Sequence, residues 1–285
     1  MPDSTPSEPP PPYEPSQSKP PLVSANSSGL SEPVRSPGPG PRKGPLPLLP
    51  LDLPALNLLR GRRVVLASAS PRRKQLLGLL GLHNVEIVPS KFEENLPKTL
   101  SPYEYVSQTA EAKCRDVYRR EIDNEAKGEP AIVIAADTII ISESGKILEK
   151  PRNAQHHLEM LKMLRDEGTH RVATAIAVMR PLESAVDPGY ALESHVEFTE
   201  VKFSPNLSDQ CIVAYIKTRD GNDKAGGYGI QSAGSVLIER IEGSYDNVVG
   251  LPLRVMLDLI EKLMEPEEIL DDNMDNMFSR SDAED

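Results

Sequence analysis

The segment Pro130–Ser142, PAIVIAADTIIIS, limits the fold more than any other stretch of the chain. It is apolar on both faces and rich in β-branched residues. A strand of that kind is covered on both sides, so it belongs at the centre of a layered α/β sheet. Asp137 interrupts it. A lone carboxylate among aliphatic side chains is costly, so it must be paired, bound to a metal or protonated. A structural lysine would meet that demand, and so would a reactive site. Two features favour the second. Thr138 puts another polar side chain on the opposite face, and lysines recur in loops that resemble anion holders, Glu149-Lys150-Pro151 and Asp223-Lys224-Ala225-Gly226. Lys113, on the inner half of its helix by spacing, is a third such lysine.

A second constraint is VVLASASPRRKQLLGLL, residues 64–80, where an apolar strand feeds directly into a helix. Ser70 suits the N-cap, its hydroxyl accepting from an unpaired backbone N–H, and Pro71 suits the first helical position. Arg72 and Arg73 then fall in the first turn, where each cation costs about 0.3–1 kcal/mol against the helix dipole. A polyanion held by the helix amides, the hydroxyls of Ser68 and Ser70 and both guanidinium groups would offset that cost. An exposed arginine pair on a solvated turn is the plain alternative.

Strands and helices interleave around these two segments. Gly81 ends the first helix, 85–90 alternates as a short strand, and a longer helix begins at Ser101-Pro102 with Glu104 completing a capping box. Ser144-Gly145 turns the chain into KILEKP. Helix 154–166 is capped by Asn153 and closed by Gly168, with Leu158, Leu161 and Leu164 on one face. Further strands are expected at 171–179, 196–203 and 236–241, and helices at 207–217 and 252–264. The string KAGGYGIQ, 224–231, is too rich in glycine for a strand or helix interior, so its backbone passes close to something. It fits neither the dinucleotide nor the P-loop glycine pattern. His83, His156, His157, His170 and His195 have no metal-ligand spacing and read as surface or structural residues.

The flanks differ from this middle. Seventeen of the 28 prolines precede residue 61, and that segment cannot bury enough apolar surface to fold. Residues 1–60 are therefore expected to be a disordered, proline-rich extension, a passive arm or a ligand for SH3 or WW domains. Residues 265–285 carry nine acids against Arg280 alone, which marks an acidic disordered tail. Residues 61–264 keep 26 basic and 29 acidic side chains, so the overall charge of −11 says little about what the folded body binds. Neither a transit peptide nor a membrane span is legible, and no nucleic-acid or membrane partner is expected. Two cysteines, Cys114 and Cys211, suit a reducing cytoplasmic or nuclear setting as ordinary buried thiols, and a cytoplasmic location is expected.

Together SASPRR (68–73), AADT (135–138), EKPRNA (149–154), DKAGGYGIQ (223–231) and SYDNVVGLP (244–252) resemble the Maf family of nucleoside triphosphate pyrophosphatases, over roughly residues 62–264. The resemblance implies a two-lobed α/β fold with an elongated mixed sheet, flanking helices and a cleft between the lobes, usually in a homodimer. It implies hydrolysis between the α- and β-phosphates of a nucleotide with a divalent metal, Mg or Mn. It places the catalytic base on Asp137 and cationic substrate contacts on Arg72, Arg73, Lys113, Lys150 and Lys224, with Ser68 and Ser70 as hydroxyls of the first loop. Glu94 best matches a carboxylate that shares the metal with Asp137. Arg72, Thr138 and Gln231 look like the set of the dTTP/UTP branch; a methylated-GTP enzyme and a division regulator with little turnover are the alternatives. Gln231 offers one donor and one acceptor, enough to read the O4 and N3–H of uracil, although a flipped amide suits cytosine. Ser232 stands where the family commonly has glycine.

Overall fold

The computed structural model describes residues 49, 51–93, 96, 97, 99–182 and 189–265. The expectations for the proline-rich segment before residue 49, the acidic tail after 265 and Glu94 lie outside these residues. Seven strands form one mixed sheet: β1 (Val64–Leu66), β2 (Glu86–Ile87), β3 (Ile132–Ile141), β4 (Ile147–Leu148), β5 (Thr169–Pro181), β6 (Tyr190–Phe203) and β7 (Ile238–Glu242). Six of them run in the order β2-β1-β3-β5-β6-β7, and β4 pairs with β3 off this path. The expected central strand is central: β3 runs parallel to β1 and antiparallel to β5.

One side of β3 is incomplete. β5 pairs with β3 from Val133 to Ile141, so β1 and β4 must share the opposite side. There β1 takes Ile132–Ile134 and β4 takes Ile140 and Ile141. Between them no described strand pairs with β3, and the sheet has a gap at the middle of this central strand.

The helices divide between the two faces. α3 (Pro102–Glu121) covers one face with Val106, Ala110, Cys114 and Val117, against Val133, Ala135, Ile139 and Ile141. Its start is the expected capping box: the Ser101 side chain accepts from Glu104 N while the Glu104 carboxylate accepts from Ser101 N at 2.9 Å. The other face carries two separate cores. α1 (Pro54–Leu59), α2 (Pro71–Leu79) and α7 (Leu253–Met264) pack over Ile132, Ile134, Ile176 and Val178. α4 (Ala154–Glu167) and α5 (Asp209–Lys217) pack over Ile140, Val172, Val201 and Phe203. These two cores are the lobes of the molecule. Between them lies a polar belt in which the Thr138 and Thr174 hydroxyls meet at 3.0 Å, and the Asn247 amide donates to Thr199 Oγ1 at 2.9 Å and Val172 O at 3.2 Å. Asn247 belongs to a short helix, α6 (Tyr245–Val249), which bridges the lobes.

Several boundaries differ from the sequence reading. The folded body starts before residue 61, because α1 buries Leu56 and Leu59 against α7; a six-residue helix draws its stability from that packing rather than from propensity. α6 lies in a stretch for which no helix is expected from the sequence, and Ser244 caps it by accepting from Asn247 N. The strand expected at 236–241 begins at Ile238, after a 3₁₀ turn over Ala233–Leu237. On α4 the buried face is His157, Met160, Leu161 and Leu164, with Leu158 only partly covered. No helix among the described residues is long and apolar enough to cross a membrane.

Candidate active site

A cleft of about 780 Å³ opens at the gap in the sheet and runs between the two lobes. Every substrate or catalytic residue expected from the sequence and described in the structure lines it: Ser68, Ser70, Arg72, Arg73, Lys113, Asp137, Thr138, Lys150, Lys224 and Gln231. The gap explains how Asp137 and Thr138, on opposite faces of one strand, reach a common space. β5 pairs with both residues on one side, and on the other no described strand stands beside them.

Asp137 is 8% exposed, and its Oδ1 accepts from the Lys113 ammonium at 2.7 Å. Lys113 lies two helical turns beyond Tyr105 on α3, whose hydroxyl donates to Glu149 Oε1 at 2.9 Å. The α3 face thus holds the carboxylate on β3 and the loop after β4. Oδ2 of Asp137 takes no hydrogen bond from any described residue, leaving it to face the cleft.

The two arginines of SASPRR do different work. Arg73 turns back onto the scaffold: Nη1 donates to Ser68 Oγ at 2.9 Å, Nη2 to Thr138 Oγ1 at 3.0 Å and Nε to Gly250 O at 2.9 Å. It clamps the first loop to β3 and to the segment after α6, which offsets the dipole cost of its position. Arg72 reaches across the cleft, its Nη1 lying 3.6 Å from Asp223 Oδ2. Ser70 sits at the N-cap in extended conformation, yet its side chain makes no cap bond. The expected hydroxyl cap is therefore absent, and Ser70 lines the cleft.

The far wall is the glycine-rich segment. Gly226 and Gly227 adopt φ of +69° and +75°, and a Cβ on Gly227 would sit 2.5 Å from the His157 ring. What the backbone approaches is thus a buried histidine, which pairs through Nε2 with Gly227 O. His170 similarly contacts the Tyr228 hydroxyl through Nε2 at 2.7 Å. Burial holds the His170 imidazole down at about 3, so it is neutral at ordinary pH. Both histidines are structural, as their spacing indicated. Gly226 N donates to Glu149 O at 3.1 Å, tying this wall to the EKP loop.

Lys224 is held by two carboxylates, Asp223 Oδ1 at 2.9 Å and Asp220 Oδ1 at 3.2 Å. Burial raises the Asp220 carboxyl, but donation from Ser232 and Lys224 outweighs it and the group titrates below the usual range. Asp220 and Tyr105 carry roles that the sequence reading does not assign. An acid four residues before Lys224, at the end of a helix, was the available signal. Lys150 is exposed and makes no ion pair with any described residue, which leaves its ammonium available to a ligand.

Five cations and four carboxylates line the described cleft: Arg72, Arg73, Lys113, Lys150 and Lys224 against Asp137, Glu149, Asp220 and Asp223. That near balance does not neutralise a polyphosphate unaided. Among the described residues no group of three or more His, Cys, Asp or Glu side chains can hold a metal ion alone. Mg²⁺ is commonly held by one or two carboxylates together with substrate phosphates, and Asp137 suits that arrangement.

Comparison with known proteins agrees with this geometry. The family described as Maf-like protein matches residues 63–263. A dTTP/UTP pyrophosphatase of Schizosaccharomyces pombe is 46% identical over 210 residues, covering 73% of this chain and 86% of the relative. One from Acetivibrio thermocellus is 39% identical over 199 residues, covering 70% of this chain and 94% of the relative. A probable bifunctional dTTP/UTP pyrophosphatase/methyltransferase protein of Homo sapiens is 40% identical over 215 residues, covering 75% of this chain but 34% of the relative. With its motifs gathered around one cleft and its body matched from end to end, this chain belongs to the Maf-like protein family.

Proposed function

We propose that the chain is a nucleoside triphosphate pyrophosphatase acting on dTTP and UTP, releasing the monophosphate and pyrophosphate. The observation that carries this reading is Asp137, whose carboxylate enters a cation-lined cleft through the gap in the sheet with Lys113 fixing one oxygen. The relatives named for the same activity support the choice of substrate.

In this mechanism the free oxygen of Asp137 takes a proton from a water as that water attacks the α-phosphorus. The bond from the α-phosphorus to the bridging oxygen breaks, and the electron pair leaves with pyrophosphate. Arg72, Lys150 and Lys224 receive the charge that develops on the leaving group. Asp137 would share a divalent metal, Mg or Mn, with the substrate phosphates, and that ion would act as Lewis acid and template. Lys113 positions the base, while Arg73 holds the Ser68 loop and Thr138 in register. Gln231, at the rim, reads the base. The free thiols of Cys114 and Cys211 fit a cytoplasmic setting.

The test is a panel of nucleoside triphosphates with product analysis. Pyrophosphate and monophosphate should appear in equal amounts from dTTP and UTP, and Asp137→Asn should lower kcat by about 10²–10⁴-fold without unfolding the protein. Orthophosphate as the product would overturn the bond assignment, and a preference for guanine nucleotides would overturn the substrate.

A further inference from the structure

Three donors converge on one side chain at the far wall. Ser232 Oγ donates to Asp220 Oδ2 at 2.6 Å, the Tyr215 hydroxyl donates to the same oxygen at 3.1 Å, and Lys224 Nζ reaches Oδ1 at 3.2 Å and also the Asp220 carbonyl. A carboxylate suits this place because it accepts only; an amide would turn a donor toward at least one of them. The Asp220 side chain is 20% exposed, against 67% for Asp223, the other carboxylate on Lys224.

The backbone around Asp220 is built to hold it there. Arg219, at φ +63°, is the one non-glycine with positive φ among the described residues, and such strain persists only where the surroundings impose it. Asp220 N donates to Thr218 Oγ1 at 3.2 Å, closing the turn at the end of α5. Gly229 lies beneath the Lys224 stem, where a Cβ would meet Lys224 Cδ and Cε at 2.7 Å. Lys224, Gly229 and Ser232 therefore pack as one body around Asp220.

We infer that Asp220 is a positioning residue that couples the phosphate-gripping Lys224 to the base-reading segment Gln231-Ser232. Lys224 stands on one of its oxygens and Ser232, next to Gln231, on the other. Asp220 thereby fixes the distance between the phosphate grip and the base reader, so that a thymine or uracil ring aligned with Gln231 is also aligned with Asp137. The inference rests on the dTTP/UTP reading of the site.

The test compares kcat/KM for dTTP and CTP in wild type, Asp220→Asn, Asp223→Asn and Ser232→Ala. Asp220→Asn should lower kcat/KM for dTTP at least about tenfold and shrink the dTTP/CTP ratio. Asp223→Asn removes the other contact to Lys224, together with the one to Arg72, without touching Ser232 or Gln231, so it should lower kcat/KM for both nucleotides alike and leave the ratio unchanged. Ser232→Ala should shrink the ratio with a smaller loss of kcat/KM. The coupling is overturned if Asp220→Asn behaves like Asp223→Asn, or if Ser232→Ala leaves the ratio untouched. Should Asp220→Asn fail to fold, Ser232→Ala and Tyr215→Phe decide the matter by the same ratio. A wild-type protein that hydrolyses neither nucleotide refutes the proposed function instead, an outcome distinct from both.

Discussion

The two walls of the cleft are held in place by different means. The near wall, made by the Ser68–Arg73 turn and β3, takes its order from the sheet: Arg73 bonds to Ser68, Thr138 and Gly250, and Asp137 is fixed by a lysine on α3. The far wall, residues 219–232, has no strand and takes its order from Asp220, two buried histidines and glycines that admit close contacts. Loss of the Arg73 clamp in the near wall thus strikes scaffold and chemistry together, whereas a polar change in the far wall can alter chemistry while the scaffold stands. Adjacent residues show the contrast, since Arg73 serves the near wall and Arg72 leans toward the far one.

The largest expected effect is on turnover. Arg72→Ala should cut kcat/KM by about 10²–10³-fold, the usual cost of losing a group aimed at developing charge, with Tm unchanged or slightly raised. Arg73→Ala should instead lose about 1.5–3 kcal/mol of folding stability in a denaturant titration, since three hydrogen bonds from a charged group go with it. Equal stability in the two variants would erase the distinction between the walls.

Gly227→Ala comes next. Its Cβ would press on the His157 ring at φ +75°, so about 1–3 kcal/mol of stability should be lost by thermal or urea unfolding. A neutral outcome would show that the far wall is looser than its packing indicates. The effect that is smallest at neutral pH is that of His170, which grows only on acidification. His170 is lowered from 6.5 to about 3, so below pH 6.5 the unfolded chain binds a proton that the folded chain refuses. Stability from this group is complete above pH 6.5 and falls toward pH 3 at up to about 1.4 kcal/mol per pH unit. The difference in pH slope between wild type and His170→Gln measures it.

Local signals carried much of the fold. Ser101, Asn153 and Gly168 mark helix ends because capping depends on neighbours in sequence, and β3 is legible because burial on both faces shapes its whole composition. α1 and α6 were not legible, since a helix of six or five residues has little propensity to display and forms by packing on α7 or across the polar belt. At the site, Asp137 and the cations stood out as polar residues in apolar or glycine-rich surroundings. The division of labour between Arg72 and Arg73 did not, because it is set by partners as distant as Gly250. Asp220 stayed hidden for the same reason, its meaning residing in donors from three separate segments.

The interruption in pairing along β3 bears on self-association as well as on chemistry. A bare stretch of hydrophobic strand is a template on which another chain can add itself, and proteins commonly blunt such stretches with charge. Here the blunting charges are Asp137, Lys113, Arg72 and Lys224 themselves, all of which line the cleft at the gap. The residues of the unpaired stretch are themselves buried, Ala135 and Ala136 fully so, and polar side chains rather than open backbone face the cleft. The same side chains thus guard the strand and prepare it for use.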